Sequence, residues 1–252
     1  MSDYDRNVAA RGFGAAGTAA IDAGLRAYMI RIYNYMAAGV ALTGVTAWLT
    51  FNAAVITDAS GKITGLTSFG QAIFSGPLTI VLFLGTLGIV FFLSFRINKL
   101  QAGTAMMLFM LYAGLLGLML SSVFLSYTGA SITRTFFISA ASFGALSLYG
   151  YTTQRDLSPI GSFLIMGLFG LILASIVNIF LGSNMLAFAI SAIGVLIFAG
   201  LTAWDTQKIK EMYDANDDGT VSGRKAVMGA LTLYLDFINL FLFMLRFLGD
   251  RR

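Results

Sequence analysis

Seven apolar segments, each close to twenty residues long, run through this chain at roughly 32–52, 73–93, 105–125, 135–153, 160–181, 185–205 and 226–246. About twenty helical residues cross the ~30 Å hydrocarbon core of a bilayer. In lipid a helix satisfies all of its own backbone hydrogen bonds, so spans of this length form helices. The expected fold is an all-α integral membrane protein, a seven transmembrane helix bundle over residues 32–252. Residues 1–31 read as a flexible cytoplasmic N-terminal arm, polar and rich in small residues, without the apolar core of a cleavable signal peptide. Composition agrees: 58% of residues are hydrophobic and 11% charged, with mean hydropathy +0.82. A soluble domain carries about 25% charged residues.

Several boundaries are marked. Gly76-Pro77 and Ser158-Pro159 place proline in a first helical turn. "LGSN" at 181–184 allows a tight turn between spans five and six, and Ser222 is a candidate cap for span seven. The glycine pairs at 85–88, 114–117 and 167–170 read as close helix packing. Orientation follows from lysine and arginine. With the N-terminus inside, the inner segments hold eleven of them and the outer loops only Lys62 and Arg134, a positive-inside pattern. Arg246, Arg251 and Arg252 run against it, because a seventh crossing puts them outside. A full crossing is the expectation.

The 252 residues contain neither cysteine nor histidine. Disulfides, thiol chemistry, histidine metal sites and Ser-His catalysis are excluded, and so is the ordinary histidine pH switch. No basic, aromatic-interleaved surface points to nucleic acid. Any sensing of protons falls to carboxylates.

One carboxylate is conspicuous. Asp236 lies in "LTLYLDFINLF" (231–241), about midway between Lys225 and Arg246. A straight helix would place it near the midplane, where an aspartate costs roughly 2.5–3.5 kcal/mol on insertion scales. Thr232 at i−4 and Asn239 at i+3 share its face, a polar stripe that Gly229 extends. Two readings are open: a neutral structural acid hydrogen-bonded between helices, or a proton- or ion-linked group. Asp205 ends span six, with Thr202 three residues before it. Taken alone it is an interfacial residue, and Trp204 beside it an interfacial anchor.

"GVLIFAGLTAWDTQKIKEMY" and "GALTLYLDFINLFLFMLRFLG" closely resemble the last two spans of the Bax inhibitor-1 family, the transmembrane Bax inhibitor motif proteins. "VFFLSFRIN" (90–98), "YTGASITRTFFISAASFGALSLYGYTT" (127–153) and "IVNIFL" (176–181) look like its bacterial branch. The resemblance covers about residues 25–250. It implies a pH-sensitive calcium leak across a bacterial inner (cell) membrane, with calcium as the transported ion and no cofactor. It also implies that Asp205 and Asp236 form a hydrogen-bonded, pH-sensing pair and that Arg96 can latch onto Asp205. Two carboxyls in contact cannot both ionise cheaply, so such a pair should share one proton. The helix boundaries strain the pairing: at 1.5 Å per residue Asp205 lies about 4–5 Å from the inner interface and Asp236 about 16 Å. Contact needs a tilt, an offset of span seven or a watered vestibule.

"DANDDGTVSGRK" (214–225) opens like a calcium loop, with Asp214, Asn216 and Asp218 at positions 1, 3 and 5. Lys225 stands where the bidentate glutamate belongs, so these three are at most weak metal candidates. No enzyme is expected. An intramembrane aspartyl protease would need Gly-x-Gly-Asp and Pro-Ala-Leu motifs, which are absent. A rhomboid-type protease needs histidine, and a retinal pigment needs a lysine within span seven. The alternatives to a leak are a non-conducting regulator of a protease, channel or cell-death partner, and a calcium/proton exchanger.

Overall fold

A computed structural model describes residues 3–59 and 62–252, with side chains from Ala23 onward. The helices are α1 (Asp3–Ala54), α2 (Ser68–Phe74), α3 (Pro77–Arg96), α4 (Ala102–Leu120), α5 (Val123–Ser126), α6 (Gly129–Thr152), α7 (Ser158–Leu181), α8 (Asn184–Glu211) and α9 (Gly219–Leu248). A small antiparallel hairpin, β1 (Val55–Thr57) and β2 (Ile63–Leu66), interrupts the all-α pattern between α1 and α2. Among the described residues, six helices are long and apolar enough to cross a membrane.

The remaining expected span, 135–153, exists as α6. Its 24 residues make ~36 Å of helix, long enough to cross. It falls short in apolarity because one face carries Ser131, Thr135, Ser139 and Ser147, all buried. Six helices thus meet both length and apolarity, and α6 has the length of a seventh span without the apolarity. The expectation for the start of the chain is corrected. Ala23–Arg31 belong to α1 rather than to a flexible arm, and Tyr28 and Met29 lie in the core. Residues 1–22 of that expected arm lie outside the described side chains.

α9 is the centre of the bundle. It packs against α8, α1, α6 and α4, and Tyr234, Leu233 and Leu240 are fully enclosed. Small residues permit this: a methyl group at Gly229 would touch Ile209 of α8 and Ile32 of α1 at 3.1–3.2 Å. α7, by contrast, packs chiefly on α8 and presents most of its surface outward. A helix apolar all round suits lipid, and a helix with buried polar groups needs protein neighbours.

The sequence markers fare unevenly. Both prolines sit in first turns as expected, and Gly182 takes the left-handed conformation (φ 61°) that closes α7. Asp218, not Ser222, caps α9, its carboxylate accepting from the Val221 N–H at 2.7 Å. Asp lies in the non-helical residue just before the helix, whereas Ser222 is already inside it. Of the glycine pairs, Gly117 abuts Thr43 and Thr46, and Gly167 meets Ile197. Gly85, Gly88, Gly114 and Gly170 face open space.

α9 runs the full height of the bundle. Near its start, Arg224 donates to the Asn98 carbonyl at 2.7 Å. Beyond its end, Thr128 donates to the Asp250 carbonyl, Arg252 donates to the Ser126 carbonyl, and Arg134 pairs with Asp250 at 3.1 Å. The C-terminal arginines thus sit at the end of the bundle opposite the 205–225 segment.

Candidate functional site

Asp205 comes from the penultimate turns of α8 and Asp236 from the middle of α9. Their carboxyls face each other within hydrogen-bonding reach. Asp236 is only 5% exposed, and Asp205 is partly buried. The Oδ2 of Asp236 is enclosed and meets no N–H or O–H donor among the described residues. Two carboxylates offer acceptors only. The contact therefore closes as a hydrogen bond only when one of the two carries a proton.

The offset of α9 is what lets them meet. Ile209 of α8 lies level with Gly229 of α9, and Phe198 stacks on Phe243 at 5.6 Å. In that register the first ten residues of α9, about 15 Å of helix, precede the level of Ile209. Asp236 is placed in the bundle by this offset. It shares the level of Asp205, which stands six residues, or roughly 9 Å, before the end of α8 at Glu211. Equal distance from Lys225 and Arg246 does not by itself give this level, because the first turns of α9 extend past the end of α8.

The pair borders a cavity of about 680 Å³ walled by α7, α8 and α9, with Ser94 of α3 at its edge. Thr232 and Asn239 line it too, so the α9 stripe does face one space. Their own side chains bond backward along the helix, Thr232 to the Met228 carbonyl and Asn239 to the Leu235 carbonyl. Thr202 is fully buried, donates to the Phe198 carbonyl, and does not line the cavity. The rest of the wall is aliphatic and aromatic.

Two neighbours of Asp205 also line the cavity. Lys208, at i+3 from Asp205, lines the cavity and is the cation that acts on Asp205. Its ammonium lies 5.0 Å over the Trp204 ring. Trp204, expected as an interfacial anchor, lines the cavity and seats against Gly161 of α7, where a side chain would collide with the indole. The i+3 spacing was a legible signal for Lys208. The glycine opposite Trp204 lies 43 residues away and gave none.

Arg96 closes α3 with its side chain exposed, and among the described residues it holds no ion pair. The structure does not bring it to Asp205. A further unread feature is the α6 stripe at four-residue spacing. Ser131 accepts from the Asp250 N–H, Ser139 contacts Met244, and Ser147 bonds Thr206, the residue after Asp205, at 2.8 Å. That periodicity was visible in "SITRTFFISAASFGALS".

The acidic turn is engaged in local bonds. Asp214 accepts from the Asn216 backbone and side-chain amides, and the backbone N–H holds its carboxyl below the usual range. Asp218 caps α9, and Asp217 pairs with Lys225 at 2.6 Å. Lys225, which would occupy the twelfth ligand position, points back into the turn.

A helical bundle built around its most buried helix, with one carboxyl on that helix and a second on its neighbour α8 facing an apolar cavity, defines an integral membrane protein with an ionisable site within its spans. The profile described as inhibitor of apoptosis-promoting Bax1 matches residues 25–252. The chain belongs to the Bax inhibitor-1 family. It is 52% identical over 231 residues to an uncharacterised protein of Rickettsia prowazekii, covering 92% of each chain. It is 48% identical to the inner membrane protein YbhL of Escherichia coli K12, covering 91% of this chain and 94% of that one. An uncharacterised protein of Caulobacter vibrioides matches at 40% over the full length of both.

Proposed function

We propose that this protein is a pH-sensitive calcium leak of a bacterial inner membrane, gated by Asp205 and Asp236. The observation that carries the reading is the contact of two carboxyls on a cavity within the spans, one of them with a buried oxygen that meets no donor among the described residues. Family membership and the printed name of YbhL support the setting. In this reading α6 also crosses, giving seven spans with the N-terminus and the 205–225 segment in the cytoplasm. The protein is not an enzyme and uses no cofactor.

The mechanism follows from the pair. With its proton in place, the bond ties α8 to α9. Seven residues farther along each helix, ~10 Å away, the stacked Phe198 and Phe243 narrow the cavity toward the other end. Loss of the proton sets two charges against each other in a poorly hydrated site, where repulsion is strong. α8 and α9 then part. Lys208 already faces Asp205, and Arg96 is free to swing to it and hold the open state. Calcium flux into sealed vesicles, measured against pH for the wild type and for Asp236→Asn, tests the proposal. A wild type with no flux at any pH would favour a non-conducting regulator, and proton counterflow stoichiometric with calcium would favour an exchanger.

Two further results are expected. Single cysteines introduced as Thr220→Cys and Arg252→Cys should be labelled from opposite sides of the membrane, the first only from the cytoplasm. Labelling of both from one side would overturn the seven-span arrangement. Replacing Asp214, Asn216 and Asp218 by Ser should leave the shape of the pH–flux curve unchanged. Serine retains the cap on α9, and the turn holds its carboxylates in local bonds. A collapse of the pH dependence would restore the calcium-loop reading.

A further inference from the structure

A second space, about 550 Å³, lies on the other side of the bundle between α1 and α6. Its walls are Met29, Ile30 and Tyr33 of α1 and Phe143, Ser147 and Leu148 of α6, with Arg26 and Tyr151 at one end. The polar groups inside it are already satisfied. Thr206 donates to the Thr202 carbonyl at 2.7 Å, so Ser147 donates to Thr206 and Tyr33 donates to Ser147 at 2.7 Å. The interior therefore asks for hydrocarbon, not for a polar ligand. Gly144 leaves its floor open: a methyl group there would meet nothing within 4 Å.

The mouth differs in kind. Arg26 is exposed and has no carboxylate partner among the described residues. Lys210 sits on Tyr151, the other residue of that end, its ammonium bonded to the Tyr151 carbonyl and 6.0 Å from the ring. From Tyr151 to Phe143 the groove spans eight residues, about 12 Å of helix, close to the depth of one leaflet, ~15 Å. An apolar slot one leaflet deep, with cations only at its mouth, matches a chain that ends in an anion.

We propose that the α1–α6 groove is a binding site for an anionic phospholipid, with one acyl chain along Gly144 and Leu148 and the phosphate at Arg26 and Lys210. The lipid would lie against the Ser147–Thr206 bond, next in sequence to Asp205, and would brace α1, α6 and α8 at that level. The inference stands apart from the proposed leak and does not depend on it.

The test is native mass spectrometry of the full-length protein, released from nanodiscs holding equal amounts of phosphatidylglycerol and phosphatidylcholine with identical acyl chains. The wild type should retain phosphatidylglycerol preferentially. Arg26→Gln should reduce that preference about fivefold, the loss of one basic contact at a membrane surface. Gly144→Leu should fill the floor and remove retention of both lipids, without lowering the thermal midpoint. Equal retention of the two lipids by the wild type, or unchanged retention in both variants, would overturn the proposal. So would a dimer that Gly144→Leu dissociates, since a second copy would then be the occupant. Should Gly144→Leu not fold, the exposed Arg26→Gln decides alone.

Discussion

Replacing Asp236 by Asn is expected to flatten the pH dependence of calcium flux while leaving a folded protein. The paired state binds one proton more than the separated state, so it prevails at low pH and is lost as pH rises. Wild-type flux should therefore climb with pH, by up to about tenfold per unit through the transition, as a single-proton equilibrium requires. Asparagine keeps the shape of the side chain and can donate to Asp205 without titrating. The bond between α8 and α9 then persists at every pH, and flux stays near its low-pH level. Asp205→Asn should behave alike. Because the pair titrates as one unit, the double variant should resemble either single one rather than show their summed effects. Arg96→Ala should shift the level of flux and leave a pH response in place. An unchanged pH profile in Asp236→Asn would return Asp236 to the role of a neutral structural acid between helices.

The second large effect is on stability. Gly150 of α6 lies against the backbone of Ala203 in α8, and a methyl group there would run into the Ala203 carbonyl. A flexible side chain could give way to such a methyl, but a backbone carbonyl within a helix cannot. Gly150→Ala should therefore destabilise the protein by about 1–3 kcal/mol, the cost of overpacking, despite alanine's better helix propensity. Thermal unfolding in detergent should show the drop. Gly144→Ala, two turns away on the same helix, faces open space and is the matched control, expected to leave the midpoint unchanged or slightly raised. Equal midpoints in both variants would mean that α6 and α8 are not held at this distance. Since Asp205 stands two residues from Ala203, Gly150→Ala should also disturb the pH–flux curve.

Much of this molecule was legible in its amino acids. The length and apolarity of the segments dictated membrane helices, because an unsatisfied backbone cannot persist in lipid. The prolines at 77 and 159 and the glycine at 182 marked real helix boundaries, since their effects on φ are local. Asp236 announced itself by its cost in an apolar helix, and Thr232 and Asn239 by helical periodicity. The level of Asp236 in the bundle was not legible. It depends on the register of α9 against α8, which is set by contacts such as Gly229 on Ile209 and Phe243 on Phe198, between residues far apart in the chain. The same holds for Trp204, which its own surroundings made an interfacial residue and Gly161 made a packed one. Local chemistry determines which segments enter the membrane and which residues are costly there. Only tertiary packing decides which of those residues face one another.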